Sequence, residues 1–215
     1  DSEYDYELLG YITPKKMGQA YHCPVFNGLS KQTTSEQLMD LGTQLNIHGI
    51  VPMFHVVGVT PEAADVHTAF LGRKDPPVVT ITNEDLAQAR AEISAGTGKA
   101  DFCILGCPHL TINQVGSIAK MLDGQQLAGQ LYIFTSTSTK ELALRMGYLD
   151  IIHKAGGEIV INSCVDQPCW SHQYGMSGVT ESPKCAYYTK RWNMTFTVKS
   201  IPACIQSVLK GEIVS

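Results

Sequence analysis

The sequence predicts an α/β fold, an open and mainly parallel sheet with helices on both faces, and three observations carry that expectation. Short apolar runs suited to buried strands alternate with helix-length segments from residue 48 to residue 162. The helices begin at recognisable capping residues, and glycines stop several of them. Strand and helix alternating at this spacing call for crossovers between parallel strands. With 215 residues, 44% hydrophobic and 17% charged side chains, the chain can bury a substantial core, so residues 1–215 are expected to form one α/β domain.

Residues 1–33 lack a clear period and are punctuated by Gly10, Pro14, Gly18, Pro24 and Gly28, which predicts a loop-rich opening. Thr34 and Gln37 form a capping-box signature for a helix through about Leu45, with Leu38, Leu41 and Leu45 on one face. The run from His48 to Val59 predicts a first buried strand, and Thr60-Pro61-Glu62 opens a helix. Val78 to Ile81 predicts a second strand, followed by a helix capped by Thr82 or Asn83 that runs to about Ser94. A third strand spans Asp101 to Gly106, turns through Cys107-Pro108-His109-Leu110, and leads into a helix from Thr111 to Leu122. Gln130 to Phe134 and Glu158 to Asn162 are the fourth and fifth strands, with helix between them. Ser163 to Trp192 reads as a long irregular loop of functional character, before a last strand over Asn193–Ser200 and a helix over Ile201–Leu209.

A net charge of −4 without a basic stripe argues against nucleic acid as a partner. No apolar run approaches the roughly 20 residues that span a bilayer, and the first residues lack a signal-peptide pattern, so a cytoplasmic protein is expected. The seven cysteines are irregularly spaced in a chain too large to need disulfide staples, which favours reduced thiols. Each thiol then has two readings, a small buried hydrophobe or a functional group.

In an open parallel sheet ligands gather beyond the carboxyl ends of the strands, so the residues that follow each strand are the candidates. They include Thr60 and Glu62 after the first strand, Cys107 and His109 after the third, Thr135 and Ser136 after the fourth, and Cys164 after the fifth. Cys107 precedes a helix, a position that lowers a thiol pKa and suits metal ligation or nucleophilic attack. His55 is either a ligand or acid–base group, or a hydrogen-bonded core histidine. Ser182 and Lys184 lie near the end of the long loop, where a serine can act as base or nucleophile and a lysine can hold a carboxylate or phosphate.

Taken in order, Phe54-His55-Val56-Val57-Gly58-Val59-Thr60-Pro61-Glu62-Ala63, Leu105-Gly106-Cys107-Pro108-His109, Cys164, and Ser182-Pro183-Lys184-Cys185-Ala186-Tyr187-Tyr188 resemble the aconitase X family. The resemblance runs across nearly the whole chain and implies an aconitase-like fold. It further implies a dehydratase that removes water from a small hydroxy acid, as family members do with cis-3-hydroxy-L-proline and phosphorylated mevalonate, using an iron–sulfur cluster. By that resemblance Cys107 and Cys164 are the expected cluster ligands, Ser182, His109 and Lys184 the catalytic candidates, and Thr60, Glu62 and His55 the substrate-binding candidates. It also implies an N-terminal catalytic region and a small swivelling domain or subunit beyond this chain, which would then be the C-terminal part of a longer catalytic region. One departure is Asn162-Ser163-Cys164, where the family pattern leads one to expect an Asp two residues before the Cys. Two other readings remain: a non-catalytic small-molecule-binding or regulatory domain with structural cysteines, and an enzyme with Cys107 as nucleophile assisted by His109.

Overall fold

Ser2 opens helix α1 (Glu3–Met17) with a reciprocal box: its hydroxyl accepts from the Asp5 N–H, and the Asp5 carboxylate accepts from the Ser2 N–H. The computed structural model describes residues 2–18, 23–74, 76–94 and 98–214, with the backbone alone at 168 and 169. Helix α1 corrects the expectation of a loop-rich opening; residues 1 and 19–22 of that stretch lie outside the described ones. The helix shows no apolar period because Tyr6, Leu8, Gly10, Tyr11 and Ile12 are buried around much of its circumference. Gly10 is a packing residue, since a Cβ there would lie 2.6 Å from the Leu41 carbonyl oxygen.

Helix α2 (Ser35–Gln44) carries the expected box between Thr34 and Gln37. It places Leu41 in a first core with Tyr6, Phe26, Leu45, Val51 and Val56. Strand β1 (Val25–Phe26) pairs in parallel with β2 (His55–Val56). The run 48–59, expected as one buried strand, provides only β2, and Ile50 and Met53 are exposed. Thr60-Pro61-Glu62 makes a turn instead of a helix, and a single helical turn, α3 (Val66–Ala69), follows behind Asp65. Val78–Ile81 is irregular, with Val78 at the surface, before α4 (Asn83–Ile93).

The elements before α4 belong to a unit spanning Asp1–Ala89, Arg90–Ser215 form a second, and α4 runs across the division. The run 48–59 read as one strand because an apolar run records burial and not the partner that buries it. A strand of a large sheet and a coiled segment over a small core read alike.

The second unit holds the parallel sheet. Its strands are β3 (Phe102–Leu110), β4 (Gln130–Thr135), β5 (Gly157–Ile161), β6 (Ser177–Thr180) and β7 (Thr195–Val198), in the spatial order β5-β4-β3-β6-β7, all parallel. The helices are α5 (Ile112–Leu122), α6 (Thr137–Arg145), α7 (Tyr148–Ala155), α8 (Pro183–Thr189) and α9 (Ile201–Lys210). The fold class, an α/β parallel sheet with flanking helices, is the expected one. Strand alternation divides the sheet side chains as a period of two requires. Cys103, Leu105, Leu131, Ile133, Ile159 and Val179 join Ile118, Ile152 and Ile205 of α5, α7 and α9 in the main core. On the opposite face the sheet is aromatic, with Phe102 edge-on to Phe196 at 5.2 Å, and with Tyr132 and Phe134 against Trp170 of a 3-10 segment. The stretch 163–192 is therefore not a simple loop. It contains a covering 3-10 turn, strand β6 and helix α8.

Candidate active site

The strand order reverses beside β3. The chain leaves β3 through α5 to β4 and β5 on one side, then returns to place β6 and β7 on the other. Such a reversal leaves a crevice at the carboxyl ends of the two diverging strands, where open α/β sheets bind ligands. Here the strands are β3 and β6, which pair only through Phe102↔Gly178 and Cys103↔Val179.

Beyond that pairing β3 bulges. Leu105 is paired with Ile133 and Leu110 with Thr135, so residues 106–109 leave the ladder while β4 advances by Phe134 alone. Gly106 has φ +113, and a Cβ there would overlap the Phe134 carbonyl oxygen, so the bulge requires glycine. The Cys107–Pro108 bond within it is cis. The bulge is anchored at both ends. Thr135 donates its hydroxyl to the Leu110 carbonyl at 2.6 Å, and the buried Glu181 carboxyl accepts from the Gly106 N–H at 2.6 Å and the Cys107 N–H at 3.1 Å.

Cys107 and His109 lie in the bulge near the carboxyl end of β3, and Cys164, Ser182 and Lys184 lie beyond the carboxyl ends of β5 and β6 in this unit. Ser182 is wholly buried and caps α8, accepting from the Cys185 N–H at 3.2 Å while its hydroxyl hydrogen-bonds the Cys107 thiol. Lys184 favours the Cys107 thiolate electrostatically, while Glu181 and Cys164 oppose it. The expectation of a lowered pKa at Cys107 is overturned. Although the residue is partly accessible, burial pushes the thiol up to about 11, because desolvation outweighs the Ser182 hydrogen bond and the Lys184 charge.

His109 is exposed, and its Nε2 lies 2.9 Å from the Ser163 carbonyl. A carbonyl can only accept, so Nε2 carries the proton in this contact. The bond ties the Cys107 bulge to the segment bearing Cys164. That segment begins at Asn162, whose left-handed φ of 54 suits asparagine and whose Oδ1 accepts from the Thr137 hydroxyl at 3.0 Å. Cys164 is exposed, and its Sγ accepts from the Asp166 N–H at 3.4 Å. Asp166 is clamped in turn by Arg191 at 2.5 Å and by the Trp192 indole N–H at 3.2 Å. Sequence reasoning missed Glu181 and this clamp. The signal for Glu181 was an acidic residue directly before Ser182, but it stood in what read as loop.

The substrate-binding candidates Thr60, Glu62 and His55 lie in the first unit. Thr60 closes its own turn, with its hydroxyl 3.0 Å from the Val56 N–H and 3.3 Å from the Val56 carbonyl. His55 places Nδ1 3.9 Å from the Glu62 carboxylate, and among the described residues that buried nitrogen has no hydrogen-bond partner. Thr135 and Ser136, also privileged by position, serve as the β3 anchor and as the cap of α6.

Comparison with known proteins gives this geometry a lineage. The model of the aconitase X second domain matches residues 1–91, and that of the aconitase X third domain matches residues 100–210. The chain belongs to the aconitase X family. The aconitase X third domain thus coincides with the parallel-sheet unit that carries Cys107 and Cys164. The phosphomevalonate dehydratase large subunit of Methanothermobacter thermautotrophicus is 35% identical over 185 residues, covering 86% of this chain and 44% of that protein. The cis-3-hydroxy-L-proline dehydratase of Pseudomonas aeruginosa is 31% identical over 171 residues, covering 76% of this chain and 29% of that protein. The crystal structure of Thermococcus kodakaraensis aconitase X in its holo-form superposes with a TM-score of 0.84 at 28% identity, covering 97% of this chain and 52% of that one. The chain spans between 29% and 52% of the length of these relatives.

For an iron–sulfur cluster, the donor set of an aconitase X chain is tested by its chemistry. Cys164 is exposed and Cys107 partly so, and the two thiols are held on loops joined by the His109–Ser163 bond. Thiols of this kind fit cluster ligation. Among the described residues no group of three or more His, Cys, Asp or Glu is gathered for a metal ion, so the pair fits as a share of a site. Desolvation raises Cys103, Cys185 and Cys204 as it does Cys107, but unlike Cys107 these three are fully buried.

Proposed function

We propose that this chain is the thiol-bearing part of an aconitase X hydro-lyase, which eliminates water from a small hydroxy acid such as cis-3-hydroxy-L-proline or 5-phosphomevalonate. The observation that carries the reading is the pair of thiols, Cys107 and Cys164, on loops joined by the His109–Ser163 bond beside the strand-order reversal, in a chain whose relatives are named dehydratases. Elimination breaks a C–H bond and the C–O bond of the neighbouring carbon, forms a C=C bond and releases water. It needs a base for the proton and an acid for the departing hydroxyl.

Cys107 and Cys164 would hold an iron–sulfur cluster, which supplies Lewis acidity to the hydroxyl when bound. The chain's own residues prepare the place. Ser182 directs a hydrogen bond at Cys107, and with its hydroxyl buried and engaged at both ends we assign it to holding the thiolate in place of the base role expected from the sequence. His109 fixes one thiol loop against the other. Lys184, close enough to act on Cys107 electrostatically, is the candidate for the substrate carboxylate. His55 and Glu62, with Thr60 shaping their turn, remain the substrate-binding candidates of the first unit. The remaining length of the relatives is proposed to supply the base and the other ligand, in an N-terminal region and a small swivelling domain or subunit. We place the whole enzyme in the cytoplasm; no helix among the described residues is long and apolar enough to cross a membrane.

The test is iron and acid-labile sulfide analysis, with a visible spectrum, on the anaerobically prepared full-length protein and its Cys107→Ser and Cys164→Ser variants. The expected result is a chromophore in the parent that both variants lose, together with dehydration of one of the two hydroxy acids. A colourless parent that still binds a hydroxy acid would transfer the assignment to the non-catalytic binding domain.

A further inference from the structure

The crevice contains a buried carboxyl that the elimination chemistry does not use. Glu181 is 4% exposed and stands between the last residue of β6 and the Ser182 cap. One oxygen, Oε1, accepts from both the Gly106 and Cys107 N–H groups, and the other accepts from the Thr180 hydroxyl at 3.3 Å. Burying a carboxyl is unfavourable, and here it also stands near four thiols, Cys103, Cys107, Cys185 and Cys204, whose ionisation it opposes. Core stability would be better served by an apolar side chain. A geometric duty explains the choice. The ladder between β3 and β6 ends at Cys103↔Val179, so the N–H groups at 106 and 107 have no β6 partner and are taken by the Glu181 carboxyl instead. The Glu181 side chain completes the ladder with one atom.

We propose that Glu181 is the positioning residue for Cys107: its carboxyl oxygen, by gathering the two N–H groups, fixes the bulge in the pose that presents the thiol to the crevice. Oε1 has lone pairs for both N–H groups whether or not the carboxyl is ionised, so the role does not depend on its protonation. Glutamine can reproduce it, because an amide oxygen accepts the same two bonds and the amide N–H₂ can donate to the Thr180 hydroxyl. Alanine and leucine cannot. The proposal concerns the thiol's pose alone and is independent of what the thiol binds, so its failure would be distinguishable from failure of the hydro-lyase reading.

The test uses the metal-free chain and iodoacetamide at one fixed pH, with peptide mass spectrometry resolving the labelling rates of Cys107 and Cys164. The wild type is compared with Glu181→Gln, Glu181→Ala and Glu181→Leu, and amide exchange at Gly106 and Cys107 is followed in parallel. The expected result is a Cys107 rate within about threefold of wild type in the glutamine variant. In the alanine and leucine variants it should change by about tenfold, with Cys164 unaltered and the two amides exchanging faster; a tenfold change in rate is the signature of about 1.4 kcal/mol at the labelled site. If the apolar variants do not fold, protection of the two amides in wild type and in Glu181→Gln decides the matter, since an oxygen that holds them keeps both slow. Equal Cys107 rates in all four proteins, equal changes at Cys164, or fast exchange of both amides in the wild type would each overturn the assignment.

Discussion

At the residue scale, the most constrained position is Gly106. Its φ of +113 lies where side chains with a Cβ are rarely found, and the Phe134 carbonyl occupies the space a methyl would need. Gly106→Ala is expected to destabilise the second unit on the order of 3 kcal/mol, combining backbone strain with overpacking. Thermal melting checks this, and an unchanged melting temperature would mean that the bulge is more pliable than its hydrogen bonds imply. Cys107, Cys164, His109, Ser182 and Lys184 stood out as candidates in the sequence because each follows a strand or stands in a motif, and their roles are those proposed above. Glu181 was not, because an acidic side chain in a polar stretch ordinarily points to water, and only the closing of β6 on β3 buries it. The ionisation of Cys107 was misjudged for a related reason: a neighbouring helix start is visible in sequence, whereas desolvation is not.

At the scale of elements, caps were the most readable feature. The Thr34 box is read directly from the sequence, and the structure adds a second box at Thr111 and a cap at Ser136. The start of α4 illustrates how such an end depends on pH. The Asp85 carboxylate accepts from the Thr82 N–H at 2.7 Å and from Lys16 at 2.6 Å, and these bonds, that from Lys16 first, hold its carboxyl below the usual value. A lowered folded-state pKa gives stability that is present above the ordinary carboxylate value and lost as pH falls through the lowered one. Asp85→Asn should therefore be less stable than wild type at neutral pH, with the gap closing in acid; denaturant melts at pH 7 and near pH 2.5 measure both ends. A gap that persists unchanged in acid would assign the effect to something other than this charge. Short elements were the least readable. Strand β6 has four residues, one of them Gly178, and α8 has seven, so neither offers the repeated period from which a strand or helix is recognised.

At the scale of the whole molecule, the six described cysteines fall into three environments: Cys23 and Cys164 exposed, Cys107 intermediate, and Cys103, Cys185 and Cys204 buried. A maleimide added to the native, metal-free chain is expected to modify Cys23 and Cys164 first and Cys107 more slowly. The remaining three should react only after denaturation. Reaction of Cys204 in the native chain would contradict the core, where it packs against α5 and the sheet. The sequence by itself determined the starts of α2, α4 and α5, the βα alternation of residues 101–162 and the motifs that tie the chain to aconitase X, because caps, periods and motifs are local in the chain. The tertiary structure alone decided that the chain divides into two units, that β6 lies beside β3, and that Glu181 and Ser182 meet the Cys107 bulge. Those facts depend on contacts between residues more than seventy positions apart and on the exclusion of water from the space between them, and neither is written in any local pattern.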